Sequence, residues 1–169
     1  MGQECFVDNS ILTTVYLSKL TTFKQPQEET KYDSRLECYD ADDYGLYLFD
    51  ASGTHAARSP FANCTSLTSI YLPSLLDFNI ALEGCTALTT IDLTAVTNIT
   101  TFETTSLINL IIRNEVPPTL NIRRTSGKDI YFSNTINIYV PDPTLYENLD
   151  NWSYYYSYGC IKSLDEYVG

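Results

Sequence analysis

The chain has 169 residues, 44% of them hydrophobic and only 18% charged, which suits one domain with a real core and not a disordered tail. Its 21 acids against 10 bases leave a net charge of −11, which excludes nucleic-acid binding through a basic face and disfavours an anionic membrane surface. There is one histidine, His55, so every catalytic triad or His-based metal site must pass through it, and no run approaches the 18 apolar residues of a membrane span.

In chain order, the opening MGQECFVDNS lacks the basic start and apolar stretch of an export signal. The first predicted unit is LTTVYLSKLTTF (12–23), with Leu12, Val15, Leu17, Leu20 and Phe23 as its apolar slots. Residues 24–60 break that pattern and are polar, acidic and turn-rich. Within them Leu46-Tyr47-Leu48 reads as one further strand, and DASGTHAARSP (50–60) as a connecting loop. Residues 28–50 hold eight acids and two bases, or −6 of the total −11, so the acidity is concentrated where the pattern breaks. Asp40, Asp42 and Asp43 make a weak calcium candidate there. They fail the EF-hand pattern, because Tyr44 and Ala51 stand where ligands are needed, and a solvated acidic loop is the commoner outcome.

The pattern then becomes periodic. CTSLTSIYLPSLLDF (64–78) and CTALTTIDLTAVTNI (85–99) match at a spacing of 21 residues: Cys64 with Cys85, Leu67 with Leu88, Ile70 with Ile91, Leu72 with Leu93 and Phe78 with Ile99. TSLINLII (105–112) is a third copy, two residues early, with Leu107, Leu110 and Ile112 in the same slots. In L-x-x-I-x-L the spacing of two puts Ile and Leu on one face of a short strand. One such turn cannot bury its apolar residues alone, but stacked turns bury them as continuous ladders beside a parallel sheet. Pro141-Asp142-Pro143 stops the last strand. Asp142 is placed to cap a helix with Pro143 in its first turn, and Leu145, Tyr146 and Leu149 to share one helical face. Trp152, Ile161 and Leu164 are the expected packing residues of this end.

The unit C-T-S-L-T-S-I-x-L-P resembles the BspA-like class of leucine-rich repeats. The ending resembles the C-terminal closure of those proteins through NEVPPTL (114–120), INIYVPDPTLYENLDNWSYY (136–155) and IKSLDEY (161–167). The resemblance covers residues 10–23 and 61–167. It implies a mostly β fold with short helices: a leucine-rich-repeat solenoid over residues 1–140, with a parallel sheet on one side and an irregular acidic insertion at 24–60. It also implies a C-terminal helical cap over 141–169. Surface proteins of gut and oral bacteria, and phages infecting them, carry such repeats, which implies an extracellular, cell-surface or virion location. The same resemblance makes Cys64 and Cys85 buried, reduced ladder members, although their equivalent places on adjacent turns would also suit a disulfide. Five cysteines leave at least one unpaired in either case.

The residue between each pair of inward side chains faces out. That column reads Tyr16, Tyr47, Tyr71, Asp92, Ile111 and Tyr139, with Tyr131 of Ile130-Tyr131-Phe132 as a further member. Tyrosine is favoured at recognition surfaces, and it is equally an ordinary outward strand residue held by cross-strand stacking. The expected function is non-enzymatic recognition or adhesion, binding a protein or glycan through the sheet face or loops. The alternative is a structural component of a virion or other large assembly, with self-association. No cofactor is expected, no C-x-x-C pair suggests zinc, and His55 stands outside any nucleophile motif, so no enzyme is expected. The cluster Arg113, Arg123, Arg124 and Lys128 is the one concentration of positive charge. It suits either internal ion pairs or an acidic neighbour.

Overall fold

The structure, a computed structural model, describes residues 6, 8–21, 61–80, 82, 84–100, 106–125 and 128–168, and only the backbone of 123–125 and 128. In chain order the strands are β1 (Thr14–Tyr16), β2 (Ser69–Tyr71), β3 (Asp77–Phe78), β4 (Thr90–Leu93), β5 (Asn98–Thr100), β6 (Asn109–Ile112), β7 (Thr119–Asn121), β8 (Arg123–Thr125), β9 (Lys128–Ile130), β10 (Asn137–Val140) and β11 (Ile161–Ser163). One short helix, α1 (Trp152–Ser157), and two 3-10 turns (Pro143–Tyr146 and Leu164–Glu166) complete the described elements.

Six strands pair side by side in the order β1-β2-β4-β6-β10-β11, every pair parallel. A second parallel sheet, β3-β5-β7, repeats the arrangement, and β8 and β9 form an antiparallel hairpin. The register sets the inward apolar residue of each strand beside that of the next, whatever the length of chain between them. Val15 stands beside Ile70, Ile91 beside Leu110, Leu110 beside Ile138, and Ile138 beside Ile161. All six are buried and belong to one core. In the second sheet Phe78, Ile99 and Leu120 form the matching ladder, at steps of 21 residues. The third copy, two residues early at Leu107, regains those two residues before Leu120 through the longer Asn114–Pro118 segment. Each fully buried aliphatic side chain is worth about 1.5–3 kcal/mol, and neighbours in a ladder share the burial.

The turns repeat as faithfully as the strands. The amides of Asn9, Cys64 and Cys85 bond to the carbonyls of Phe6, Phe61 and Leu82 at 3.1, 3.1 and 3.2 Å. This extends the first copy back to Phe6, whose ring stacks on Phe61 at 5.6 Å and 8°. Threonine and serine hydroxyls tie each turn to the one before: Thr68 donates to the Thr13 carbonyl at 3.0 Å, Ser74 to Ser18 at 2.8 Å and Thr97 to Leu76 at 3.0 Å. The richness in these residues thus serves carbonyls that a flat ladder would leave exposed. Asp8, Asn63 and Gly84 each stand four residues before a core leucine and share a left-handed backbone, with φ of 57°, 58° and 74°. Aspartate, asparagine and glycine are the residues that tolerate it. A Cβ on Gly84 would lie 2.9 Å from the Asn63 Cα of the preceding turn. Gly84→Ala is therefore expected to cost about 2–5 kcal/mol in urea unfolding, from left-handed strain and overpacking together. An unchanged midpoint would show that the two turns separate freely.

β1 pairs directly with β2, and the strand expected at Leu46-Tyr47-Leu48 lies outside the described residues. One expectation needs correction. The helix expected after Asp142, with Leu145, Tyr146 and Leu149 on one face, is a 3-10 turn, Pro143–Tyr146. Asp142 does cap it, accepting from the Thr144 amide at 3.0 Å and hydroxyl at 2.6 Å. Of its expected face only Tyr146 is buried, while Leu145 and Leu149 are exposed. The 3-10 turn ends at Tyr146, so Leu149 lies beyond it and no helical face joins the three residues. The segment after residue 140 also supplies β11, which extends the sheet beside β10.

Candidate functional site

The outward column exists as a register row. Tyr16 stands beside Tyr71, Tyr71 beside Asp92, Asp92 beside Ile111, Ile111 beside Tyr139, and Tyr139 beside Lys162. Tyr47 lies outside the described residues, as do Asp40, Asp42, Asp43 and His55. Tyr131 is not in the row. It follows the hairpin and packs on Tyr154 of α1 at 5.8 Å.

Exposure divides the row. Tyr16 is 63% and Tyr71 44% exposed, whereas Ile111 is 1% and Tyr139 9% exposed. Ile111 and Tyr139 are therefore not surface binding residues as expected. The chain returns over this end of the sheet after β11. Ser163 and Glu166 form a capping box that starts the second 3-10 turn, and Tyr167 then packs on Tyr139 at 5.0 Å. Nothing in a strand period announces such a fold-back.

The open half has ordered chemistry. The Tyr16 and Tyr71 rings stack at 5.1 Å and 14°. Next in line, Arg113 grips Asp92 with a fork: Nε donates to Oδ1 at 2.8 Å and Oδ2 at 3.0 Å, and Nη2 donates to Oδ2 at 2.6 Å. The two side chains remain 44% and 27% exposed. The bond to Asp92 holds the guanidinium pKa above its ordinary value, with partial desolvation opposing it and the Asp92 charge and the neighbouring Tyr71 and Tyr167 adding to it. Arg113 thus forms an internal ion pair, one of the two outcomes open from its sequence.

A second outward row lies two residues back along each strand: Thr14, Ser69, Thr90, Asn109 and Asn137. Asn109 Nδ2 donates to Thr90 Oγ1 at 3.3 Å, and Asn137 Nδ2 to Asn109 Oδ1 at 3.2 Å. The residue before each inward Ile, Val or Leu is Thr, Ser or Asn in every one of these strands, a signal that reading threonine only as a strand former passes over.

The cysteines have a structural place. Cys64 Sγ donates to the Phe6 carbonyl at 2.9 Å, and Cys85 Sγ makes the same bond one turn on, to Phe61 at 3.0 Å. Both are free and buried, as is Cys160. Burial pushes all three thiols up, Cys85 to about 11 with its neighbour Cys64 adding to the effect. They are protonated, poor nucleophiles at neutral pH. Among the described residues no three His, Cys, Asp or Glu side chains gather as around a metal ion, and no helix is long and apolar enough to cross a membrane. No family model matches the chain, and neither does any curated protein or solved structure.

Proposed function

We propose that the chain is a short leucine-rich solenoid of the BspA-like type, closed by residues 141–169, and that it acts as a non-enzymatic recognition module through the open half of its six-stranded sheet. The observation that carries the reading is the exposed Tyr16–Tyr71 stack in line with the Asp92–Arg113 fork. Two half-exposed aromatic rings bring contact area and hydroxyls at low cost in side-chain entropy. Adjacent parallel strands hold them about 4.8 Å apart, so a ligand meets a preorganised row.

The test is a binding screen of the full chain against immobilised extracellular-matrix proteins and neutral polysaccharides, with Tyr16→Ser/Tyr71→Ser beside the wild type. At least one member of the screen is expected to bind, and the double variant to lose tenfold or more with a melting curve close to wild type, since both side chains are exposed. Equal binding by both proteins overturns the reading. A chain that binds nothing and sediments as a concentration-dependent multimer would favour the structural component of a large assembly.

A further inference from the structure

We propose that Tyr71 with the Asp92–Arg113 pair forms a subsite for a neutral saccharide, and that the pair reads two adjacent hydroxyls. The proposal rests on the sheet-face reading and names the ligand class of that face. Its first support is the bonding left over. Arg113 spends Nε and one Nη2 hydrogen on Asp92, which leaves the Nη1 hydrogens and the second Nη2 hydrogen as donors. Asp92 Oδ1 accepts one bond there and has room for another. A donor and an acceptor therefore sit side by side at a surface-exposed pair. A vicinal diol matches both at once: one hydroxyl accepts from the guanidinium, and its neighbour donates to the carboxylate. The fork holds both groups in one plane before the ligand arrives.

Charge selects among ligands. The pair is internally neutral, so an anion would have to take Arg113 from Asp92, and a cation the reverse. The chain's net −11 works further against an anionic ligand. A hydroxyl-rich neutral molecule displaces neither partner. The surroundings agree. Tyr71 stands beside Asp92 in the row, offering a ring for the apolar face of a sugar and a phenol for its edge. The amide and hydroxyl row through Thr90 and Asn109 runs parallel, about 7 Å away along the strands. From β1 to β4 the open row spans three strands, about 10 Å, longer than a single sugar ring, with Arg113 at its end. Beyond it Tyr167 packs on Tyr139, so an oligosaccharide would lie over the Tyr16–Arg113 half. A protein partner would look for an apolar pocket at the centre of its interface. The exposed large side chains of this face are tyrosines, with Ile111 buried.

The experiment titrates the full chain with neutral tetrasaccharides of glucose and of mannose, the same sugars after periodate cleavage of their vicinal diols, and a uronic-acid tetrasaccharide. The Arg113 side-chain NεH resonance and calorimetry are the readouts. At least one neutral sugar is expected to bind and shift the Arg113 signal. Its periodate-treated form and the uronic-acid sugar are expected to bind tenfold or more weaker. Asp92→Asn and Arg113→Lys should each weaken the neutral sugar tenfold or more while keeping the wild-type melting curve, as an exposed ion pair adds little stability. No binding by any neutral sugar, equal binding after periodate, or full affinity in both variants overturns the subsite. If a matrix protein binds and is lost in Tyr16→Ser/Tyr71→Ser while sugars do not bind, the subsite fails and the sheet-face reading stands. If a sugar binds with full affinity to that double variant and to Asp92→Asn and Arg113→Lys, both fail.

Discussion

Ile91→Asp is expected to abolish the cooperative fold at pH 7. Ile91 is fully buried, with Leu110 beside it in the ladder and Tyr71 and Asp92 paired one position on. Truncating such a side chain costs about 2–5 kcal/mol through lost transfer energy and an unfilled cavity. The introduced carboxyl meets only apolar neighbours, so it must stay protonated to remain buried. Holding an aspartate neutral three pH units above its ordinary value near 3.9 costs roughly another 4 kcal/mol. The sum rivals the entire stability of about 5–15 kcal/mol for a domain. The sign with pH follows. The buried carboxyl has its pKa raised above that of the unfolded chain, so the ionisation penalty is absent below about pH 4 and grows as pH rises. Thermal unfolding followed by circular dichroism should show no transition at pH 7 and a partial recovery toward pH 4. Ile91→Val, losing one methylene, should cost only about 0.5–1.5 kcal/mol. A wild-type melting curve for Ile91→Asp at pH 7 would mean that the ladder is not a shared core.

The ladder is legible in the sequence because it is periodic. A spacing of 21 residues between Ile70 and Ile91, and between Phe78 and Ile99, dictates which side chains become neighbours, and both sheets obey it. Of the row Tyr16, Tyr71, Asp92, Ile111 and Tyr139 only Tyr71 and Asp92 keep that spacing; the others line up because each stands one residue past an inward Val, Leu or Ile. Their accessibility is not legible there, because it depends on a contact that has no period. Tyr139 is covered by Tyr167, which arrives through a strand, a capping box and a 3-10 turn particular to this ending. The Asp92–Arg113 fork is hidden for a related reason. Arg113 lies just past the inward Ile112 and reaches diagonally across to the neighbouring strand, a geometry that linear spacing blurs among the nearby basic residues. The left-handed column of Asp8, Asn63 and Gly84 is masked in the sequence because three different residue types satisfy one backbone requirement. Their common property is tolerance of positive φ, which becomes visible only when the copies are aligned on the core leucine.

Trp152→Ala is expected to destabilise the chain by about 3–5 kcal/mol and to loosen the second sheet first. Trp152 is buried at the start of α1, edge-on to Tyr146 at 5.2 Å and to Tyr155 at 6.3 Å. Its indole Nε1 donates to the Pro118 carbonyl at 2.7 Å, immediately before β7. The preceding Asn151 donates from Nδ2 to the Leu120 carbonyl within β7, also at 2.7 Å. Two consecutive side chains thus satisfy carbonyls along the terminal strand of the β3-β5-β7 sheet, a strand whose open edge would otherwise invite foreign pairing. Alanine removes the aromatic packing and leaves the buried Pro118 carbonyl without its donor, a loss of about 1–3 kcal/mol within the total. Trp152→Phe separates the two effects, because it keeps a ring against Tyr146 and Tyr155 and deletes only the donor; it should fall between wild type and alanine. Hydrogen exchange gives the spatial test. The amides of Thr119 and Leu120 should lose protection in Trp152→Ala well before those of Ile70 and Ile91, because β2 and β4 have their own neighbours on both sides. A stability within about 1 kcal/mol of wild type, or protection lost equally in both sheets, would show that residues 141–169 do not hold β7 in this way.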